Sequence, residues 1–167
     1  MPPTPLTALE FRKALGQFAT GVTVVTVEHD PGKFHGMTAN SFTSVSLDPM
    51  LVLICVDHRA KSLPMLHKQK HFGVSVLKKG QEAISEYFAR GTHNAETEER
   101  LAIRYGRTPG GIPVLENTLL QLACKVIASH VAGDHTIFVA QIEGAEIHEG
   151  EPLLYFRGEY RSIARHS

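Results

Sequence analysis

Val22-Thr23-Val24-Val25-Thr26-Val27 is Val or Thr at every position. Such β-branched side chains are stiff at χ1 and pack well on a pleated surface, so the run reads as a strand. Asp30-Pro31-Gly32 follows as a turn signal, and residues 34–40 return as the second strand of a hairpin. Leu51-Val52-Leu53-Ile54-Cys55-Val56 is continuously apolar and reads as a strand buried on both faces. Residues 72–77 alternate as a further strand, and residues 119–131, 136–148 and 153–156 continue the β pattern. Gly158-Glu159-Tyr160-Arg161-Ser162-Ile163 closes the set.

Helices are few. Thr7-Ala8-Leu9-Glu10 has capping-box spacing, and Phe11, Leu15 and Phe18 then form one apolar face. This predicts a helix over 8–19, ended by Gly21. Ser62 can cap a helix over 61–69, with Pro64 tolerated in its first turn. A third helix over 81–89 places Ala83, Ile84, Tyr87 and Phe88 on one face. Residues 91–113 are charged and Gly-rich, and read as a surface excursion with one short helix around 95–105.

Many strands without βαβ alternation, and no GxGxxG after the first strand, argue against a Rossmann fold. The expectation is a mainly β chain: a closed or partly closed antiparallel barrel with flanking helices. No repeat, low-complexity segment or linker divides residues 1–167, so one domain is expected.

Lys+Arg and Asp+Glu are both 17, a formal net charge of zero. That balance argues against nucleic acid or an anionic membrane as partner and is compatible with self-association. No apolar run approaches the ~18 residues of a membrane span, and the opening MPPTPLTALEF lacks the pattern of a secretory signal. Cys55 and Cys124 sit in apolar stretches without metal-ligand spacing and read as free thiols in a reducing, cytoplasmic compartment. Ten histidines form no HExxH and no compact cluster with cysteine, so no metal site is expected. GxSxG and P-loop signals are absent.

Five stretches carry possible chemistry. In Gly36 to Ser46, small side chains let a flat ligand approach the backbone, and Thr38, Asn40 and Ser41 offer uncharged hydrogen-bonding groups. A Ser/Thr-rich edge strand and turn explains the same composition. Lys61-Ser62 at a helix start suits an anion, although capping alone explains Ser62. Arg90, after Phe88 and Ala89, can meet a phosphate as a two-pronged donor, or simply favour the helix end. Gly133-Asp134-His135 can orient an imidazole toward a ligand, or be an ordinary hairpin turn. Tyr155, Arg157, Gly158 and Tyr160 suit a stacking platform, or a last strand with core aromatics.

The order of these pieces is more telling than any one. Phe11-Arg12-x-Ala14-Leu15-Gly16-x-Phe18-Ala19-Thr20-Gly21 leading into the first strand resembles the start of the flavin reductase-like family. Gly36-Met37-Thr38-Ala39-Asn40-Ser41-Phe42-x-Ser44-Val45-Ser46-Leu47-x-Pro49, Gly133-Asp134-His135 and Pro152-Leu153-Leu154-Tyr155-Phe156-x-Gly158-x-Tyr160 resemble its later landmarks. The likeness covers roughly residues 10–163 and is strongest to reductase components of two-component aromatic monooxygenases. It implies an FMN-binding split β-barrel of antiparallel Greek-key type and a homodimer. It also implies NADH or NADPH as hydride donor, FMN or FAD as acceptor, and a separate oxygenase receiving reduced flavin. Met37, Thr38, Ala39, Asn40 and Ser41 would lie along the flavin ring, with Cys55, Val56 and Asp57 flanking it. Lys61 and Ser62 would meet the phosphate, near Phe88, Ala89 and Arg90. His135, as catalytic residue, and the segment of Tyr155, Arg157, Gly158 and Tyr160 would line the nicotinamide side. A flavin-binding protein without turnover, or an oxidase on a similar barrel, is the alternative.

Overall fold

The structure is a computed structural model and describes residues 5–164. Residues 1–4, part of the opening stretch read for a signal, and residues 165–167 lie outside it. In chain order the elements are α1 (Ala8–Leu15), β1 (Thr20–Gly21), β2 (Thr23–Asp30), β3 (Lys33–Ala39), β4 (Phe42–Leu47), β5 (Met50–Asp57), α2 (Ser62–Gln69), β6 (His71–Val76), α3 (Glu82–Ala89) and α4 (Ala95–Arg100). There follow β7 (Tyr105–Arg107), β8 (Pro113–Leu115), β9 (Leu120–Ala132), β10 (His135–Ile147), β11 (Leu154–Phe156) and β12 (Glu159–Arg161).

Seven strands form one sheet in the order β3-β2-β6-β9-β10-β5-β4, each neighbour pair antiparallel. The sheet cannot be flat. Laid out, its outer strands would stand about 29 Å apart, six spacings of ~4.8 Å. Yet β3 ends at Ala39 and β4 begins at Phe42, a gap that the chain spans over at most ~11 Å. The sheet therefore rolls until its two edges meet at Asn40-Ser41, where the Ser41 hydroxyl donates to the Cys55 carbonyl at 2.9 Å. No strand pairing joins the edge strands β3 and β4, so the barrel stays split, as expected. A second sheet, β1-β11-β12, closes one end.

Two apolar clusters follow from strand alternation. Val25, Val27, Val52, Ile54, Val56, Phe72, Val74 and Phe138 fill the barrel. Val22 and Val24, on the opposite face of the same run, pack with Leu77, Phe88 and Leu153 under α3. Gly73 is bare because β8 crosses it: a Cβ there would meet the Pro113 carbonyl at 1.9 Å.

Some sequence expectations need correction. β5 is not buried on both faces: Val52, Ile54 and Val56 point into the barrel, while Leu51, Leu53 and Cys55 are only half-buried, with no cover over their face among the described residues. The Thr7–Glu10 capping box forms, but α1 ends at Leu15 and buries no residue, so Phe11, Leu15 and Phe18 stay exposed. Ser62 does not cap α2. Lys61 occupies that position without a side-chain bond, and the buried Ser62 hydroxyl contacts Met37 Sδ at 3.1 Å. Ala83 is exposed, and Ser85 takes its place on the buried face of α3.

Candidate functional site

The free edge of β3 borders two concavities. One, of about 280 Å³, is lined by His35, Met37, Lys61, Ser62, Ala89 and Arg90 among others. The other, of about 210 Å³, is lined by Thr38, Ala39, Asn40, Ser85, Tyr155 and Tyr160, with Ala89 on both. Together they make a groove along β3, walled by α3. A larger concavity of about 530 Å³ lies elsewhere, between Glu28, Asp30, His71 and Glu143. It contains none of the candidate site residues named from the sequence.

Local chemistry grades along this groove. At one end the α2 start supplies Lys61, which has no hydrogen-bond or ion-pair partner among the described residues. Arg59 also lines this end, held by Asp57 through contacts of 2.7 and 3.1 Å. That pairing keeps the Asp57 carboxyl far below the usual carboxylate range. Such an end favours a phosphate through charge and the helix dipole. In the middle, Gly36 lets the Phe88 ring lie directly on the strand; a Cβ at Gly36 would sit 2.4 Å from it. Thr38 is held by donation to the Ser85 carbonyl at 2.6 Å. At the far end, Tyr155 and Tyr160 meet edge to face at 5.5 Å, and the Tyr160 hydroxyl donates to Ser85 Oγ at 2.9 Å. Cations, then uncharged hydroxyl and amide groups, then aromatic faces form a donor set that fits the phosphate, chain and flat ring of a flavin nucleotide.

The structure thus brings Met37, Thr38, Ala39, Asn40, Lys61, Ser62, Phe88, Ala89, Arg90, Tyr155 and Tyr160 to one groove. Ser41 and Cys55 lie together at its corner. Other expected residues stand apart. The Val56 side chain is fully buried in the barrel and cannot reach a ligand. Arg157 is in the left-handed region at φ 54 and, with Gly158 at φ 82, makes the β11–β12 turn. Its guanidinium stacks over Phe156 and its Nε donates to Gln17 at 2.8 Å, so neither concavity includes it. His135 pairs in register with Asp57 at the start of β10, and its Nδ1 lies 2.7 Å from the Asp134 carboxylate. That contact holds the Asp134 carboxyl low. His135 is therefore near the Asp57–Arg59 rim rather than beside the two tyrosines.

Sequence reasoning missed His35, Arg59 and Ser85. Ser85 had a faint signal, a small polar residue in register with the apolar face of α3. Among the described residues no group of three His, Cys, Asp or Glu side chains can hold a metal, and no helix is long and apolar enough to cross a membrane. Cys55 and Cys124 are free, and burial pushes both thiols up, Cys124 to about 12.

A rolled antiparallel barrel with a cation-to-aromatic groove on its open edge defines a nucleotide-cofactor-binding barrel. A family model described as a flavin reductase like domain matches residues 15–164, and the chain belongs to that family. An NADH-dependent flavin reductase of Rhodococcus sp. is 44% identical over 95% of this chain and 88% of its own length. The reductase component of a 4-hydroxyphenylacetate 3-monooxygenase from Thermus thermophilus is 42% identical over 92% of this chain and 95% of its own. Among solved structures, the flavin reductase PheA2 in its native state superposes with a TM-score of 0.87 at 39% identity, covering 96% of this chain and 100% of that one.

Proposed function

We propose that this protein oxidises NADH or NADPH, passes the hydride to a flavin held along β3, and releases reduced flavin to a separate oxygenase. The observation that carries this reading is the groove, cationic at Lys61 and aromatic at Tyr155 and Tyr160, in a chain matched over 90% and 95% of its length by two NADH-dependent flavin reductases. The bound flavin and nicotinamide supply the redox chemistry itself. The chain's own residues bind and orient. Lys61, Ser62 and Arg90 would hold a phosphate; Met37 to Ser41 would read the ring edge through hydroxyl, amide and main-chain groups. Close, fixed placement of two flat rings, with reacting atoms ~3–3.5 Å apart, is the main demand on such a site. Hydride transfer between the two rings needs no acid–base pair. His135, its Nδ1 fixed by Asp134, is the residue we assign to positioning the nicotinamide.

The protein would act as a homodimer. Leu51, Leu53, Ile137 and Val139 are half-buried on the outer face of β5 and β10, and Val45, Met50 and Ile127 nearby are exposed. An apolar sheet face of that kind suits a second copy. A reducing cytoplasm suits both the free thiols and the nicotinamide donor.

The test is direct: purified protein, FMN or FAD, and NADH or NADPH, followed at the nicotinamide absorbance. Flavin-dependent oxidation is expected. Flavin binding without oxidation of either nicotinamide would leave only a binding protein.

A further inference from the structure

We propose that His35 is a ligand-contacting residue at the cationic end of the groove, taking up a proton when a phosphoryl group settles there. The proposal rests on the flavin reading above and names a contact that the reading does not include.

His35 is buried on β3 and lines the concavity shared by Lys61, Ser62 and Arg90. Its ring stacks on that of His93, with centroids 4.7 Å apart and planes tilted by 35°. His93 comes from the segment between α3 and α4 and packs against Tyr87 and Phe88, each at 5.1 Å. That segment is pinned. The Asn94 amide donates to the Tyr87 hydroxyl at 2.7 Å, and the Tyr87 and Tyr105 hydroxyls donate to Glu98 at 2.9 and 3.2 Å. The His93 Nε2 is buried with no partner, and the His35 ring makes no hydrogen bond among the described residues.

The charges facing this pair are mostly positive. His29 on β2, Lys61 ahead of α2, and Arg59 and Arg90 at the groove rim are basic. Glu98 on α4 is the acidic neighbour, and its Oε1 already accepts from two tyrosines. Asp57 and Glu86 face Arg59 and Arg90. An imidazolium here has no free counter-charge. Burial, then the charges of His93, His29 and Lys61, hold His35 down to about 4. Burial likewise lowers His93. A phosphoryl group brings one to two negative charges to the same wall. Beside it the protonated ring becomes the favoured form and gains an acceptor. A histidine thus leaves the unliganded groove without an unpaired cation, and supplies one on demand.

The sign follows. A group whose pKa rises on binding makes binding tighter as pH falls. Between pH 8 and 6.5, the FMN affinity of the wild type should increase relative to that of His35→Asn.

The experiment is calorimetric titration at pH 6.5 in two buffers of different ionisation enthalpy. With FMN, the wild-type protein should take up more protons than His35→Asn, by a difference approaching ~1. With riboflavin that difference should vanish. Ionisation of free FMN is common to both proteins and cancels in the comparison. Nitrogen-detected imidazole spectra of the wild type provide a readout that needs no variant: the His35 signals should move from neutral to protonated on adding FMN. Equal uptake by both proteins, or a His35 ring that stays neutral in the FMN complex, overturns the proposal while leaving flavin binding intact. Absence of binding by FMN, FAD and riboflavin alike overturns the flavin reading beneath it.

Discussion

The Thr38 hydroxyl donates to the main-chain carbonyl of Ser85 at 2.6 Å, tying the open edge of the barrel to the middle of α3. Ser85 also receives the Tyr160 hydroxyl through its own Oγ at 2.9 Å. One buried serine therefore fixes the strand, the helix and the aromatic end of the groove. Thr38→Val keeps the shape and removes the bond, at a cost of about 1 kcal/mol in stability. Flavin affinity should fall several-fold, because β3 loses its lateral support. Urea unfolding and a flavin fluorescence titration measure the two effects. An unchanged affinity would mean that the strand edge is held by other contacts.

Gly36→Ala places a methyl group 2.4 Å from the Phe88 ring. Phe88 is fully buried and cannot swing into solvent without opening the cluster under α3. The overpacked site should cost about 1–3 kcal/mol. Displacing the end of α3 also moves Ala89 and Arg90, so FMN should lose more affinity than riboflavin. Paired titrations with the two ligands check this.

Much of this arrangement is legible in sequence because it is local. The β-branched run at Val22–Val27, the turn at Asp30–Gly32 and the Thr7–Glu10 capping box each depend on neighbours within a few residues. Family likeness then located the groove-lining Met37–Ser41 and Lys61. What stayed hidden is tertiary. Val56 looks like its apolar neighbours, and strand parity alone sends it into the barrel. Phe11, Leu15 and Phe18 have the spacing of a core face, yet nothing among the described residues covers them. His35 and His93 are 58 positions apart and meet only because the segment after α3 folds back over β3. Arg157 was drawn away by Gln17, a residue 140 positions distant.

That last contact has a consequence. Arg157→Ala should leave the KM for NADH nearly unchanged, since the side chain is engaged with Gln17 and Phe156. His135→Ala should raise the same KM several-fold with flavin affinity retained. Steady-state kinetics on the two variants separate the positions. A large KM effect at Arg157 and none at His135 would reverse the assignment.

Val139 faces outward opposite Leu53 on β5 and beside Ala128 on β9. A charge at the centre of that half-buried patch cannot be buried against a second copy without large cost. Light scattering should give a dimer mass for the wild type and a monomer mass for Val139→Asp at micromolar concentration. A wild-type monomer would remove the proposed interface.

Acid stability should report the buried imidazole. His35 sits at about 4 in the folded chain, chiefly through burial and then through the charges of His93, His29 and Lys61, against an ordinary value of 6.5. The unfolded chain therefore binds the extra proton first, and stability rises with pH across this window. The contribution is complete above about 6.5 and is lost as pH falls toward 4. A shift of that size corresponds to about 3 kcal/mol as an order of magnitude. Glu28, held to about 2 by Arg107, loses its contribution as pH falls from about 4.5 toward 2, so most of its effect lies below the histidine window. Urea midpoints at pH 7.5, 6 and 5 should fall steadily for the wild type. His35→Asn should fall less steeply, because the neutral amide has no proton to gain. His93, lowered in the same direction by burial, accounts for the slope that remains. Parallel curves for the two proteins would mean that His35 titrates normally in the folded chain.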